Sequence, residues 1–231
     1  MPCYNPAEGW ELALATNFAA FQALIADLGI TAALIVVNDG SPRNVTPAHL
    51  ARLSALVPGV CAVVYADNRG KGYALRQGVA VSEADFHLVT DADFPYTLPS
   101  MRRVVETLRS TGGVAAGNRD TLYYEKVPFF RKMLSQSLRW MLRNVLRLPI
   151  TDSQCGLKGF DDAGKTIFME TTIDRFLFDL EFLMRTHGRV GVTAVPVELR
   201  EGVVFSAVGW RVLAVEGRNF LRLFLVNLLK K

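Results

Sequence analysis

Apolar positions along the first half of the chain follow two alternating rhythms. Over residues 7–28 they recur at helical spacing, at Trp10, Leu12, Leu14, Phe18, Phe21, Leu24 and Ile25, and Gly29 follows as a C-cap. Ala32-Ala33-Leu34-Ile35-Val36-Val37 is then a continuous run rich in branched residues, the pattern of a strand buried on both faces. It breaks into Asn38-Asp39-Gly40-Ser41-Pro42, a dense turn signal. The same sequence of events recurs, predicting helices over 47–57, 71–83 and 97–110 and strands over 60–66, 86–90 and 113–117. Strands alternating with helices imply right-handed βαβ units, so the fold class is α/β with a doubly wound, mostly parallel central sheet flanked by helices. Ligands of such sheets bind at the C-terminal strand ends. Those ends carry Asn38-Asp39, Asp67-Asn68, Asp91-Ala92-Asp93 and Asn118-Arg119.

Beyond residue 120 the alternation stops. A long basic helix is predicted near 129–147, a loop at Thr151–Gly156, mixed elements after it, and a strand near 191–198. With no repeat and no linker pattern, residues 1–231 read as one domain. Residues 1–120 form its nucleotide-type half, 121–210 its acceptor-side half, and 211–231 an amphipathic C-terminal tail.

Composition narrows the function classes. Half of the 231 residues are hydrophobic and 21% are charged, which excludes a disordered chain. The net charge of +4 is too small to argue for nucleic acid. Cys3, Cys61 and Cys155 contain no CxxC pair, and His49, His87 and His187 are scattered, so neither a zinc site nor a disulfide framework is indicated. Met1–Pro6 does not read as a signal peptide, and no apolar run reaches the roughly 18 residues of a membrane span. The mean hydropathy of +0.21 is nevertheless high, and the tail contributes to it.

Asp91-Ala92-Asp93 follows a predicted strand. Two carboxylates one residue apart at a strand exit can share a hard cation, Mg²⁺ or Mn²⁺, whose other ligands are water and substrate phosphates. A solvated pair capping the next helix is the plainer alternative. Asn68-Arg69-Gly70-Lys71-Gly72 is no Walker loop, because Gly72 stands where Ser or Thr must follow the lysine. It is no dinucleotide fingerprint either, because Leu75 replaces the third glycine. Its glycines still let backbone approach an anion at a helix start. Asp152 sits in a turn where it could face an acceptor or simply form the turn. Asp179 and Glu181, two apart on a helix, lie on different faces, so one of them is expected to be solvated.

Helix 129–147 pairs apolar positions with Arg131, Lys132, Arg139, Arg143 and Arg147. The tail adds Arg211, Arg218, Arg222, Lys230 and Lys231 against Glu216. Basic amphipathic segments of this kind suit a membrane surface. The tail is expected to bury Phe220, Leu223, Phe224 and Leu228 in the interface, with packing on the domain or on a second subunit of a homodimer as the alternatives.

Taken together, Pro2-Cys3-Tyr4-Asn5, Ile35–Ser41, Asn68–Gly72, Asp91-Ala92-Asp93 and Gly117-Asn118-Arg119 resemble a family 2 glycosyltransferase of GT-A fold. Asp152–Phe160 and Phe176–Leu183 are similar to the dolichyl-phosphate glucosyltransferase branch, with the mannose synthases as near relatives. The resemblance implies an inverting transfer of a hexose from a nucleotide sugar, of UDP-glucose or GDP-mannose type, to a polyprenyl-phosphate carrier. It implies that Pro2, Tyr4, Asp39 and Ser41 hold the nucleoside, and that Lys71 sits near base or ribose. Asn5, Asn68 and Gln154 join the substrate-binding set. Asp91 and Asp93 hold nucleotide and metal, Arg119 and Arg131 face phosphates, and Asp152 lies beside the transferred sugar or the acceptor phosphate. Pro95 stands where mannose synthases supply a Gln metal ligand. The implied location is cytoplasmic, peripheral on the inner face of the membrane.

Two other readings remain. A family 2 enzyme acting on a sugar hydroxyl would need a general base, and Asp152 is the candidate. A non-catalytic nucleotide-sugar binder would not need the intact Asp91/Asp93 pair.

Overall fold

The computed structural model describes residues 1–119, 152–201 and 216–223. The expected helix at 129–147 with Arg131, and the tail positions Phe224 and Leu228, lie outside the described residues. In chain order the elements are β1 (Pro2–Cys3), α1 (Trp10–Ile25), a 3₁₀ turn (Ala26–Leu28), β2 (Ile35–Asp39), α2 (Pro47–Leu56), β3 (Cys61–Tyr65) and α3 (Lys71–Ala80). They continue with β4 (His87–Val89), α4 (Leu98–Thr111), β5 (Val114–Arg119), β6 (Lys158–Phe160), α5 (Asp162–Met169), α6 (Phe178–Thr186) and β7 (Val192–Val197). A further helical segment covers 216–223.

The strands form a three-stranded sheet, β1-β2-β3, and a four-stranded sheet, β4-β6-β5-β7. β1–β2, β2–β3 and β5–β7 are parallel. β6 runs antiparallel to both β4 and β5. The α/β, mostly parallel expectation therefore holds, and β6 is the reversed strand that the loss of alternation after residue 120 concealed.

Adjacent strand residues point to opposite faces. Val36 and Ala115 join a core built with α1, α2 and α4, around Trp10, Leu14, Leu53, Met101 and Val104. Val114, one residue away from Ala115, joins a second core with Leu75 of α3, Ile167 and Phe168 of α5, and Phe178 and Phe182 of α6. Phe168 packs against Phe160 and Phe182 with ring centroids 4.9 and 5.1 Å apart. Helices thus cover both faces, and the strand C-termini converge on the loops described below.

Three expectations from the sequence need correction. Leu12 is 61% exposed while Glu11 is fully buried. Trp10, Leu14, Phe18, Phe21 and Ile25 complete the inner stripe at spacings of three and four, and Leu12, two positions from Trp10, lies about 200° round the helix. Glu11 is held by Arg52 at 3.1 Å. In α6 both Asp179 and Glu181 are buried, so neither is solvated. The helix is enclosed nearly all round, and each acid has its own partners. Glu181 accepts from the backbone of Thr172 and Ile173, each at 2.8 Å, and pairs with Arg185 at 2.8 Å. In the helical segment 216–223, Phe220 and Leu223 pack on the second core instead of facing a membrane; Leu221 is the exposed apolar residue there.

The start of α3 is tightly enclosed. A Cβ on Gly72 would lie 2.5 Å from the Ile173 carbonyl oxygen and 2.7 Å from Phe178 Cβ. Neither neighbour is the free end of a flexible chain. Gly72→Ala is therefore expected to lower stability by about 1–3 kcal/mol, read as a drop in the denaturant midpoint at unchanged m-value. An unshifted midpoint would show that the 172–178 segment can retreat.

Candidate active site

The first strand exits build one side of the site. Asp39, at the end of β2, is 3% exposed. Its carboxylate accepts from Tyr65 Oη and Asn68 Nδ2, both at 2.9 Å, and from the backbone N–H of Arg69 at 2.8 Å and of Gly70 at 2.9 Å. Asp39 thereby fixes the 68–70 loop, and its oxygens are already engaged by protein donors. Burial first, and the bond to Asp39 second, push the Tyr65 hydroxyl far above its usual range. The turn that follows needs glycine, because Gly40 has φ +64° and a Cβ there would lie 2.4 Å from the Asp67 backbone. Ser41 donates from its backbone to Asn38 at 2.9 Å, and its hydroxyl accepts from the Asn5 backbone at 3.0 Å. The Pro2–Asn5 segment is thus tied to the 38–44 turn. Pro2 lies in β1, and Tyr4 is exposed beside it.

The acidic pair lies at the end of β4. Lys71 Nζ contacts Asp91 Oδ1 at 2.6 Å. Burial would depress the Lys71 ammonium, but the charges of Asp91 and Asp179 outweigh it and raise the pKa. The Lys71 side chain is thus engaged by Asp91, while its chain neighbour Gly70 is bonded to Asp39. Asp93 is exposed at the rim. Partial desolvation, and then the like charge of Asp91, raise its carboxyl. Two hard oxygen donors that repel one another, one of them already carrying an ammonium, fit a cation held chiefly through Asp93. Among the described residues no group of three or more His, Cys, Asp or Glu could hold a metal. The remaining ligands would then be water and substrate phosphates.

A third group lies at the end of β5. Arg119 grips Asp152 with two parallel bonds, Nε to Oδ2 at 2.7 Å and Nη2 to Oδ1 at 2.8 Å. Asp152 is 4% exposed. Burial alone would raise its carboxyl, but the bonds and charge of Arg119 override this and lower it. An ionised, bidentate-paired carboxylate is a poor general base. Gln154, two residues on, is exposed.

Sequence reasoning missed the buried polar layer under these groups. Lys158 of β6 is fully buried, 2.7 Å from Asp179 and 2.5 Å from the Cys155 carbonyl. Burial raises the Asp179 carboxyl, with Lys158 and Lys71 pulling it back. Tyr96 Oη accepts from the Gly156 N–H at 2.8 Å and the Cys155 thiol at 3.3 Å. A Cβ on Gly156 would reach 3.0 Å from Asp91 Oδ2 and 3.1 Å from Lys71 Nζ, so the 153–156 loop lies directly on the Lys71–Asp91 pair. The available signal was an acid inside the apolar run Phe178–Leu183, since a buried acid calls for a buried base.

Residues 1–174 match the family described as Glycosyl transferase family 2. The chain belongs to glycosyl transferase family 2. Among curated relatives of this family-2 chain, human dolichyl-phosphate beta-glucosyltransferase is 27% identical over 168 residues, covering 68% of this chain and 52% of that protein. The Saccharomyces cerevisiae protein of the same name is 25% identical over 222 residues, covering 87% and 66%. The chain therefore spans about half the length of the human relative. Two solved structures are glucosyl-3-phosphoglycerate synthase from Mycobacterium tuberculosis, with Mn²⁺, UDP-glucose and phosphoglyceric acid, and a Pyrobaculum calidifontis mannosyltransferase with GDP-mannose and Mn²⁺. The first has TM-score 0.60 at 17% identity over 98% of this chain and 77% of its own. The second has TM-score 0.55 at 17% identity over 84% and 53%. These likenesses fix the GT-A fold. No helix among the described residues is long and apolar enough to cross a membrane.

Proposed function

We propose that this family-2 glycosyltransferase moves glucose from a nucleotide sugar to polyprenyl phosphate, with inversion at the anomeric carbon. The observation that carries this reading is the state of the carboxylates at the site. Asp152 is locked to Arg119, Asp91 to Lys71 and Asp179 to Lys158. Only Asp93 among these is without a basic side chain paired to it, and it is the cation ligand. A sugar hydroxyl would need a base to take its proton. A phosphate monoester, with a second pKa of about 6, is already a nucleophile at neutral pH. An acceptor phosphate oxygen attacks the anomeric carbon while the nucleoside diphosphate leaves with the bonding electrons. A bound Mg²⁺ or Mn²⁺ would neutralise that leaving group. The relatives' names support glucose and a dolichyl-type acceptor.

Within this reading Tyr4, Asn5 and Ser41 receive the nucleoside beside the loop that Asp39 positions, and Asn68 belongs to that loop. Pro2 and Gln154 flank the donor, and Asp152 orients Arg119 toward phosphate. Labelled UDP-glucose and GDP-mannose, each offered with polyprenyl phosphate or with a neutral glycolipid, tests the proposal. Glucose on polyprenyl phosphate is expected. Transfer only to the glycolipid hydroxyl would replace it with the alcohol-acceptor reading.

Arg131 is proposed to face the acceptor phosphate. Arg131→Ala is expected to raise KM for the lipid more than for the nucleotide sugar, and equal effects would reassign it.

Because Phe220 and Leu223 pack inward, membrane contact at the inner cytoplasmic face is proposed to run through the exposed Leu221 and through Lys230 and Lys231 of the tail. Each basic residue near an anionic surface contributes about 1 kcal/mol, so flotation with anionic vesicles should fall steeply as salt rises. Salt-independent binding, or none at low salt, would count against peripheral attachment.

A further inference from the structure

A cavity of about 350 Å³ opens between the 68–69 loop, residues 172–175 and the helical segment 216–223. Four of its lining side chains are arginines: Arg69, Arg175, Arg218 and Arg222. Arg218 and Arg222 are four apart on one helix, where like charges repel. Arg69 lies over the Tyr73 ring at 4.3 Å, which holds its guanidinium in place.

Nearby acids do not neutralise this group. Asp174 pairs with Arg76. Glu216, which Arg175 influences electrostatically, accepts from the backbone of Phe176 and Leu177 at 3.1 Å each. Among the described residues none of the four arginines is within ion-pair distance of a carboxylate. Asn68, Asn219, Thr172 and Asp174 complete the polar lining, and the Asp174 carboxylate there is paired with Arg76. Four guanidinium groups around a concave polar space whose one acid, Asp174, is already paired with Arg76 suit a tetrahedral oxyanion, which accepts several forked N–H pairs at once.

The cavity is separate from the acidic pair at β4. It shares one wall with the donor side: the Arg69 backbone serves Asp39, while its side chain lines the cavity. We infer that this cavity binds a phosphate group, either of an anionic lipid headgroup or of a soluble phosphate compound, and that the bound anion clamps helix 216–223 against the 68–70 loop. The inference concerns binding alone and stands whether or not the proposed transfer is correct.

The test uses the full chain with the donor site held saturated by UDP and Mn²⁺. Inorganic pyrophosphate is titrated by calorimetry, and flotation compares phosphatidylcholine vesicles with and without phosphatidic acid. The probe variant is Arg175→Gln with Arg222→Gln, which keeps length and polarity. Its pyrophosphate affinity is expected to fall by about tenfold or more, since two charge-assisted contacts are lost. UDP affinity and the circular dichroism spectrum, as the fold control, are expected to match wild type. If phosphatidic acid binding falls in parallel, the physiological source is a lipid headgroup; if only pyrophosphate binding falls, it is a soluble phosphate. Arg175→Lys with Arg222→Lys, which keeps charge, guards against a folding defect in the first variant and is expected to retain most of the affinity. Wild-type pyrophosphate affinity in a folded Gln variant would overturn the site, as would a wild-type protein that binds no pyrophosphate once UDP is in place.

Discussion

Asp93→Asn is expected to reduce turnover by about 100-fold or more while leaving the fold intact. A bound divalent ion contributes several kcal/mol of charge stabilisation to a departing diphosphate, and each 1.36 kcal/mol is about tenfold in rate. Asp93 is exposed and, among the described residues, has no lysine or arginine paired to it, so neutralising it removes the proposed cation ligand without stranding a buried partner. Asp91→Asn is a less clean experiment, because Asp91 Oδ1 is the acceptor for Lys71 at 2.6 Å. That substitution weakens both the cation site and the support of an ammonium lodged under the 153–156 loop, and so confounds rate with stability. Turnover should be measured with Mn²⁺ titrated against EDTA. Wild-type rates in EDTA, or in Asp93→Asn, would mean that Lys71 and the arginines alone stabilise the leaving group, and the cation assignment would fall.

Some features were legible from the sequence because one local rule governs them. Strands β3, β4, β5 and β7 begin and end within about two residues of their expected bounds, since apolar runs flanked by turn residues admit few alternatives. The strand exits were legible for the same reason: Asp39, Asp91 and Arg119 interrupt the runs, and polar residues there need a partner or a ligand. What these residues bind was hidden, because each partner is distant in the chain. Asp39 is met by the 68–70 loop, Arg119 by Asp152 and Asp179 by Lys158. Periodicity also assumes that a helix has one wet face. That fails for α6, enclosed on all sides, where Asp179 and Glu181 are both satisfied internally. It misjudged the tail in the opposite sense, since an apolar stripe does not say whether lipid or protein covers it, and Phe220 and Leu223 chose the second core.

Lys158→Ala should destabilise the protein by about 3–5 kcal/mol, the cost typical of removing one member of a buried ion pair. Lys158 is fully buried and Asp179 is 5% exposed, so the orphaned carboxylate could not recover its hydration. The deficit should depend on pH in a defined sense. Burial already raises the Asp179 carboxyl in the folded state, and loss of Lys158 removes a charge that pulls it down. A carboxyl whose folded pKa lies above the unfolded one binds its proton more tightly when folded. Its favourable contribution is therefore present below the unfolded pKa and is lost as pH rises through the folded one. Acidification should then shrink the stability gap between Lys158→Ala and wild type, as Asp179 becomes neutral in the variant. The double substitution Lys158→Met with Asp179→Leu removes both charges and should recover most of the loss, because a buried pair can often be exchanged for apolar residues at little cost. Denaturant unfolding of the three variants at neutral and mildly acidic pH reads all of this directly. Turnover adds a second readout, for Lys158 also holds the Ser153 and Cys155 carbonyls that shape the loop against Lys71 and Asp91. A double variant that is stable but slow would assign the pair to positioning that loop. A Lys158→Ala protein as stable as wild type at neutral pH would mean that Asp179 is already protonated there, and the buried ion pair would have to be redrawn as a neutral hydrogen bond.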